Sequence, residues 1–583
     1  MQSWDTGRGF RARRSMSLLL AATLWLGIVS LACSQVAPAG QSSSGDTSAP
    51  RTFKSLRVGS TKEPKAGILF AGTSTGVQDP SHTFHAGLTV YDEGGALVPR
   101  LAQKVPAIED GDWILAADGQ MEITWRLRPG IRWHDGTPLS IEDFVLGLKV
   151  VQDNEVPINR SSWVSFVSEI RPVSNDTFVM VWRQPYMLAT ASGPSDLPAL
   201  PAHVLGAAYE SGDKQAFSNS PYWAQEFTGL GPYRIKDWVL GSHLTAAASD
   251  DYFLGRPRID ELVFRFFTDV PPLMAALLAG ELDVVPVGAM KADEAMTVKQ
   301  SWEQNGAGTA IISLNGLRVL YFQYRDTNAP WVRDVRVRRA LTHMQDRQTL
   351  VETLKSGLTT TGHTVPTPQD PLYRQIEQRG LPKYDYDLRK AQELLAEAGW
   401  NKGANGIYQN AAGQPLSVEI RTVVVAPEAL QEILAEADQF IKAGVESPIF
   451  QVRQNDANRS ELRAKAEGVF SNRLDDTPDA LSRFHSSLIA SEANRWLGQN
   501  VWGYSNPVFD RMYDRYIVTM EVGKRQDALA DMLKMHADEV TYIPMWYELG
   551  LLNMAFRKGV RGPVAASPIQ QENLWNVHLW EKD

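Results

Sequence analysis

Trp125-Arg-Leu-Arg-Pro-Gly-Ile-Arg-Trp-His-Asp-Gly-Thr-Pro-Leu-Ser-Ile-Glu-Asp-Phe144 runs from a strand through a turn into a helix. From Glu122 to Arg128 apolar and polar side chains alternate with the period of two that marks a half-buried strand. Asp135-Gly136, with Pro138 behind it, is a turn signal. Ser140-Ile-Glu-Asp143 is a variant of the capping box. It opens a helix with Ile141, Phe144, Leu148 and Val151 on one face.

The same alternation of elements continues outward. Val337, Leu341, Met344, Val351 and Leu354 fall at helical spacings of three, four and seven and predict one helix. Ala391, Leu394, Leu395 and Ala398 predict another, stopped at Gly399. Ala426-Pro427 opens a helix that ends near Gly444, and Asn506-Pro507 caps one through Phe509, Met512, Tyr513 and Tyr516. Apolar stretches at 178–182, 263–267 and 418–425 read as buried strands. No internal repeat interrupts the pattern, and the class is α/β.

A chain of 583 residues exceeds one core and predicts two to four lobes. Hydrophobic residues make up 43% and charged residues 21%, the balance of a globular protein. With 58 basic against 67 acidic side chains and no basic tract beyond the first fifteen residues, nothing recommends a nucleic-acid partner.

Cys33 is the single cysteine. Before it, Arg8, Arg11, Arg13 and Arg14 form a positive start, followed by an apolar stretch from Ser15 to Ala32. That stretch is short for a spanning helix and fits a signal peptide over 1–32. Arg13-Arg14 leaves the export route open. Ser30-Leu-Ala-Cys33 resembles a bacterial lipobox, which implies lipidation at Cys33 and a membrane anchor. Residues 33–53 then read as the lipidated cysteine and a flexible Ser, Gly, Ala and Pro tether.

Candidate chemistry is thin. Gly72-Thr-Ser-Thr-Gly76 matches a nucleophile elbow, but Pro80 argues against the helix that must follow, so a glycine-rich loop is expected. His134-Asp135 are chain neighbours in a turn and make a poor proton-transfer pair. His82 and His85 lack a third ligand. No phosphate-binding glycine motif is present. The expectation is no catalytic residue, no metal and no cofactor, with any ATPase on a separate subunit. Seventeen Trp and seventeen Tyr supply aromatic walls for a cleft, with Trp496 and Trp502 as candidates.

The opening segment closely resembles the signature of bacterial family 5 extracellular solute-binding proteins, which include oligopeptide-, dipeptide- and nickel-binding members. Leu88–Asp92 with Pro99–Ala102, Gly229–Arg234, Asp251–Phe253, Leu278–Asp283, Asp334–Leu341, Ala391–Trp400, Tyr504–Pro507 and Ile543–Tyr547 are similar to further family blocks, in family order. They run from about residue 56 to the C-terminus.

The resemblance implies a two-lobed, three-domain clam with a hinge, of the periplasmic-binding-protein type. Domain I would combine 54–95, 196–298 and 546–583, domain II would be 96–195, and domain III 299–545. It implies a monomeric receptor outside the cytoplasm that delivers an oligopeptide to ABC permease subunits with separate ATPase subunits. By position it implies ligand contacts at Phe84, His85 and Gly87, at Phe322 and Tyr324, and along Ser471, Asn472, Arg473, Asp475 and Asp476. One departure stands out. Peptide-binding relatives place an aspartate four residues before a proline, to pair with the peptide's α-ammonium. Counted back from Pro478 that position is Leu474, so Asp475 or Asp476 would have to serve, and Arg473 would suit an anion. An oligosaccharide or other polar solute, a sensory lipoprotein and, remotely, a secreted hydrolase are the alternatives.

Overall fold

The computed structural model describes residues 52–583, apart from 65–68, 70–79, 566–573 and positions 117–118, 154, 157, 159–161, 315, 326–328, 369, 425–426, 454–455, 457, 478–479, 497 and 551. The expected leader, Cys33, the expected tether up to residue 51 and the Gly72–Gly76 motif lie outside the described residues.

The signature segment builds the four-stranded antiparallel sheet and its helix. The strand Met121–Arg126 buries Met121, Ile123 and Trp125, and lies between Trp113–Leu115 and Thr177–Trp182, with Val167–Pro172 at the far edge. In the turn Gly136 adopts φ +90°, a backbone that favours glycine. The helix Ile141–Gln152 starts where the Asp143 carboxylate accepts the Ser140 N–H at 2.8 Å. Phe144 packs on Phe178 with ring centroids 5.2 Å apart, and both are fully buried. Burying each such side chain contributes roughly 1.5–3 kcal/mol.

His134 joins this unit to a second block, Gly229–Arg234. Its Nδ1 accepts the Gly229 N–H at 3.1 Å and its Nε2 donates to the Gly231 carbonyl at 2.9 Å. That needs a neutral ring, and burial pushes the imidazole down to about 4. Gly231 is required for space, since a Cβ there would lie 2.3 Å from the Phe84 carbonyl carbon.

Two larger mixed sheets form the lobes. The first has seven strands in the order Gly308–Ile311, Met554–Arg557, Val284–Val285, Ser55–Ser60, Glu261–Phe266, His243–Ala248, Tyr233–Val239. The second has five, in the order Ile449–Arg453, Glu419–Val424, Gly468–Leu474, Leu317–Phe322, Tyr542–Tyr547. The helix Pro427–Ala443 links the parallel pair Glu419–Val424 and Ile449–Arg453. Strand membership puts the two crossings at 312–316 and 548–553, later than the sequence-based 298 and 546. The reason is pairing: Gly308–Ile311 hydrogen-bonds to Met554–Arg557 in the first sheet, and Tyr542–Tyr547 to Leu317–Phe322 in the second.

The helix expected across 337–354 is two helices, Val335–His343 and Arg347–Leu354. Asp346 breaks the run by capping the second, accepting the Thr349 N–H at 3.1 Å. Of the described residues, none forms a helix long and apolar enough to cross a membrane.

Candidate functional site

A cavity of about 730 Å³ opens where the second sheet meets the crossing strands. Arg318 reaches it from the strand Leu317–Phe322, and Asn472, Arg473 and Asp475 from the end of Gly468–Leu474. Arg463 comes from the helix Arg459–Ala464, Trp496 and Trp502 from a connecting loop, and Glu548 from the second crossing. Lys291, which precedes the helix Ala292–Asn305 of the first lobe, closes one side. A second cavity of about 410 Å³ shares Lys291, Arg318, Glu548 and Leu549 with it, so the two form one cleft.

The floor is a buried charge network. Arg318 pairs with Glu432 and with Glu548 at 2.7 Å, and Lys355 holds Glu432 at 2.5 Å. Burial alone would raise the Glu548 carboxyl, but Arg318, Lys355 and Arg473 outweigh it and hold it below the usual carboxylate range. Asp475 is clamped, with Arg473 and Arg483 each 2.6 Å from one of its oxygens. These two arginines likewise overcome the burial that would push its carboxyl up. For Asp476 burial, then Asp370 and Asp475, push the carboxyl up to about 7.

The wall is held in a strained shape. Arg495 and Trp496 both have positive φ, +54° and +61°, in a region side chains avoid. Arg325 secures this loop by donating to the carbonyls of Ala464 (2.6 Å), Ala490 and Val501. Trp502 stacks on Tyr321 with centroids 3.7 Å apart, and the Lys465 ammonium sits 5.0 Å from the Trp496 ring.

Five of the residues expected to contact ligand therefore line the cavity: Asn472, Arg473, Asp475, Trp496 and Trp502. Others are placed elsewhere by packing. Phe84 is fully buried in the first-lobe core. His85 is buried against Trp133, 5.7 Å between centroids, with burial holding its imidazole down to about 3. Gly87 lies so close to the Ser192–Gly193 backbone that a Cβ would be 2.3 Å from the Ser192 carbonyl oxygen. Phe322 belongs to the second-lobe core, and Tyr324 packs edge-on to Tyr504 at 5.2 Å. Leu474, the position counted back from Pro478, is fully buried, and Ser471 is buried beside Glu436. Arg318, Arg463, Arg483, Lys291 and Glu548 were not expected. They come from five separate segments of the chain, and only the fold brings them together. Among the described residues no three His, Cys, Asp or Glu side chains are grouped to hold a metal ion. His134-Asp135 is likewise divided, the histidine on backbone and Asp135 on His203 at 2.8 Å.

Two lobes around a shared cleft, with an inserted sheet, define a periplasmic-binding-protein-like α/β fold. The family model "Bacterial extracellular solute-binding proteins, family 5 Middle" matches residues 96–494, and the chain belongs to this family. It is 24% identical to the oligopeptide-binding protein AppA of Bacillus subtilis, across 86% of this chain and 88% of that one. Among solved structures, the oligopeptide-binding protein of Thermus thermophilus, complexed with a pentapeptide, superposes with TM-score 0.68 at 20% identity, covering 91% and 96% of the chains. HbpA2 of Haemophilus parasuis gives TM-score 0.71 at 18% identity over 91% and 100%.

Proposed function

We propose that this protein is the solute receptor of an ABC importer, held outside the cytoplasm by a lipid on Cys33. It captures an oligopeptide between its lobes, releases it unchanged to the permease, and relies on separate ATPase subunits for energy. The observation that carries this reading is the cleft itself, which draws Lys291 from the first lobe, Arg318 and Asp475 from the second, and Glu548 to Gly550 from the crossing between them. A ligand touching all three stabilises the closed arrangement by the difference between its affinities for closed and open forms. The permease then has a ligand-dependent shape to recognise. The names of the Bacillus and Thermus relatives, both oligopeptide-binding proteins, support a peptide as the cargo.

Native mass spectrometry of the protein purified without denaturation tests this. A ladder of intact peptide masses is the expected result. A single non-peptide mass would overturn the peptide cargo, and release of cleaved peptide after incubation would overturn the receptor.

A further inference from the structure

The larger cavity carries a charge that the rest of the chain does not predict. The protein has a formal net charge of −9, yet Lys291, Arg318, Arg463, Arg473 and Arg483 line this cavity with only two carboxylates, Asp475 and Glu548; Glu428 and Glu432 pair with Lys291 and Arg318, which leaves the surplus at Arg463, Arg473 and Arg483. Both carboxylates are already engaged, Asp475 by two arginines and Glu548 by Arg318. The excess is local, because the adjoining cavity sets Asp293, Glu428, Glu432 and Glu548 against only Lys291, Arg318 and Lys355.

Arg463 carries that imbalance, its guanidinium 5.5 Å from the Phe470 ring. Among the described residues it forms no ion pair, and its Nε is buried without a hydrogen-bond acceptor. Burial, and then Arg459 and Arg483, press its guanidinium toward the neutral form. A buried cationic donor without an acceptor is costly, and a ligand carboxylate would supply both the charge and the missing acceptor. An α-ammonium would meet the opposite conditions, since Asp475 is shared by Arg473 and Arg483 and has no oxygen left unpaired.

We infer that the Arg463, Arg473 and Arg483 end of the cleft binds carboxylate groups of the ligand, so that the receptor selects acidic oligopeptides over basic ones. This rests on the receptor reading above. The carboxylates are those of the peptide's acidic side chains, and the same guanidinium fork would accept a free polycarboxylate.

Calorimetric titration of the full-length protein in detergent with Ala-Glu-Ala-Glu-Ala, Ala-Lys-Ala-Lys-Ala and tricarballylate tests the inference. The glutamate peptide is expected to bind about tenfold or more tighter than the lysine peptide. Arg463→Ala should remove about that factor for the glutamate peptide and leave the lysine peptide unchanged. Arg463→Lys, which keeps the charge and loses the fork, should fall between. Equal binding of both peptides by the unaltered protein overturns the inference and leaves the receptor reading standing. Binding of tricarballylate alone, lost in Arg463→Ala, supports the carboxylate site and overturns the peptide cargo. Binding of none of the three overturns both.

Discussion

Beneath the cleft floor, burial first and then Glu432 push the Glu436 carboxyl up to about 8. Neither of its oxygens has a hydrogen-bond partner of good geometry among the described residues. The folded state therefore prefers the protonated acid, whereas the unfolded chain titrates near 4.5. Because the folded value is the higher one, the stabilisation is fully present below the unfolded value and is lost as pH rises through about 8. Asp476, pushed up to about 7, acts in the same direction. Glu436→Gln keeps the shape and removes the ionisation. It should raise stability at pH 8 by roughly 1–4 kcal/mol and leave it unchanged at pH 4. Urea denaturation across that range measures it, and a gain independent of pH would show that the carboxyl is not the titrating group. Such a residue gives no signal in the sequence. Glu436 lies in a helix whose charged residues read as a solvated face, and only the docking of that helix on its sheet buries it.

Elements announce themselves where a backbone group needs a local partner. Ser140, Asn506 and the Pro427 start were legible because caps are short-range chemistry, and Asn506 Oδ1 accepts the Val508 N–H at 2.9 Å. The break at Asp346 was hidden because Met344 and Val351, seven apart, keep one helical phase across it. The loop carrying Trp496 and Trp502 is not a local element, since Arg325 holds it from the bend beyond the strand Leu317–Phe322. Removing that guanidinium in Arg325→Leu leaves the Ala490 carbonyl without its donor and the Ala464 and Val501 carbonyls with the Gln323 amide alone. The expected cost is about 2–4 kcal/mol. The strained pair Arg495 and Trp496 should also relax, flattening the cavity wall. Hydrogen exchange should then rise across 488–502 while the strand Leu317–Phe322 stays protected. Uniform exchange across both segments would mean that Arg325 supports the lobe as a whole rather than this loop.

At the scale of the molecule, the family blocks run in order along the sequence, yet the lobes they build exchange strands at 312–316 and 548–553. Their relative position is set by the crossings and by whatever bridges them. One bridge is visible at the cleft edge, where the Lys291 ammonium of the first lobe lies 2.9 Å from Glu428 of the second. Both side chains are about half exposed, 47% and 55%, so the pair contributes no more than about 1 kcal/mol. That is too weak to lock the lobes, and enough to bias an equilibrium by up to about fivefold. Glu428→Gln should therefore shift the ligand-free protein toward the open form at low salt. The variant and the parent should converge near 1 M salt, where the Debye length falls to about 3 Å. Cys33 is the only cysteine, so two engineered cysteines, one in each lobe, can carry spin labels without competition from a second native thiol in the lobes. Pulsed dipolar spectroscopy then reads the distance distribution directly. If the distribution is the same in parent and variant at low salt, the bias lies in the crossing strands, and a ligand closes the cleft without help from this pair.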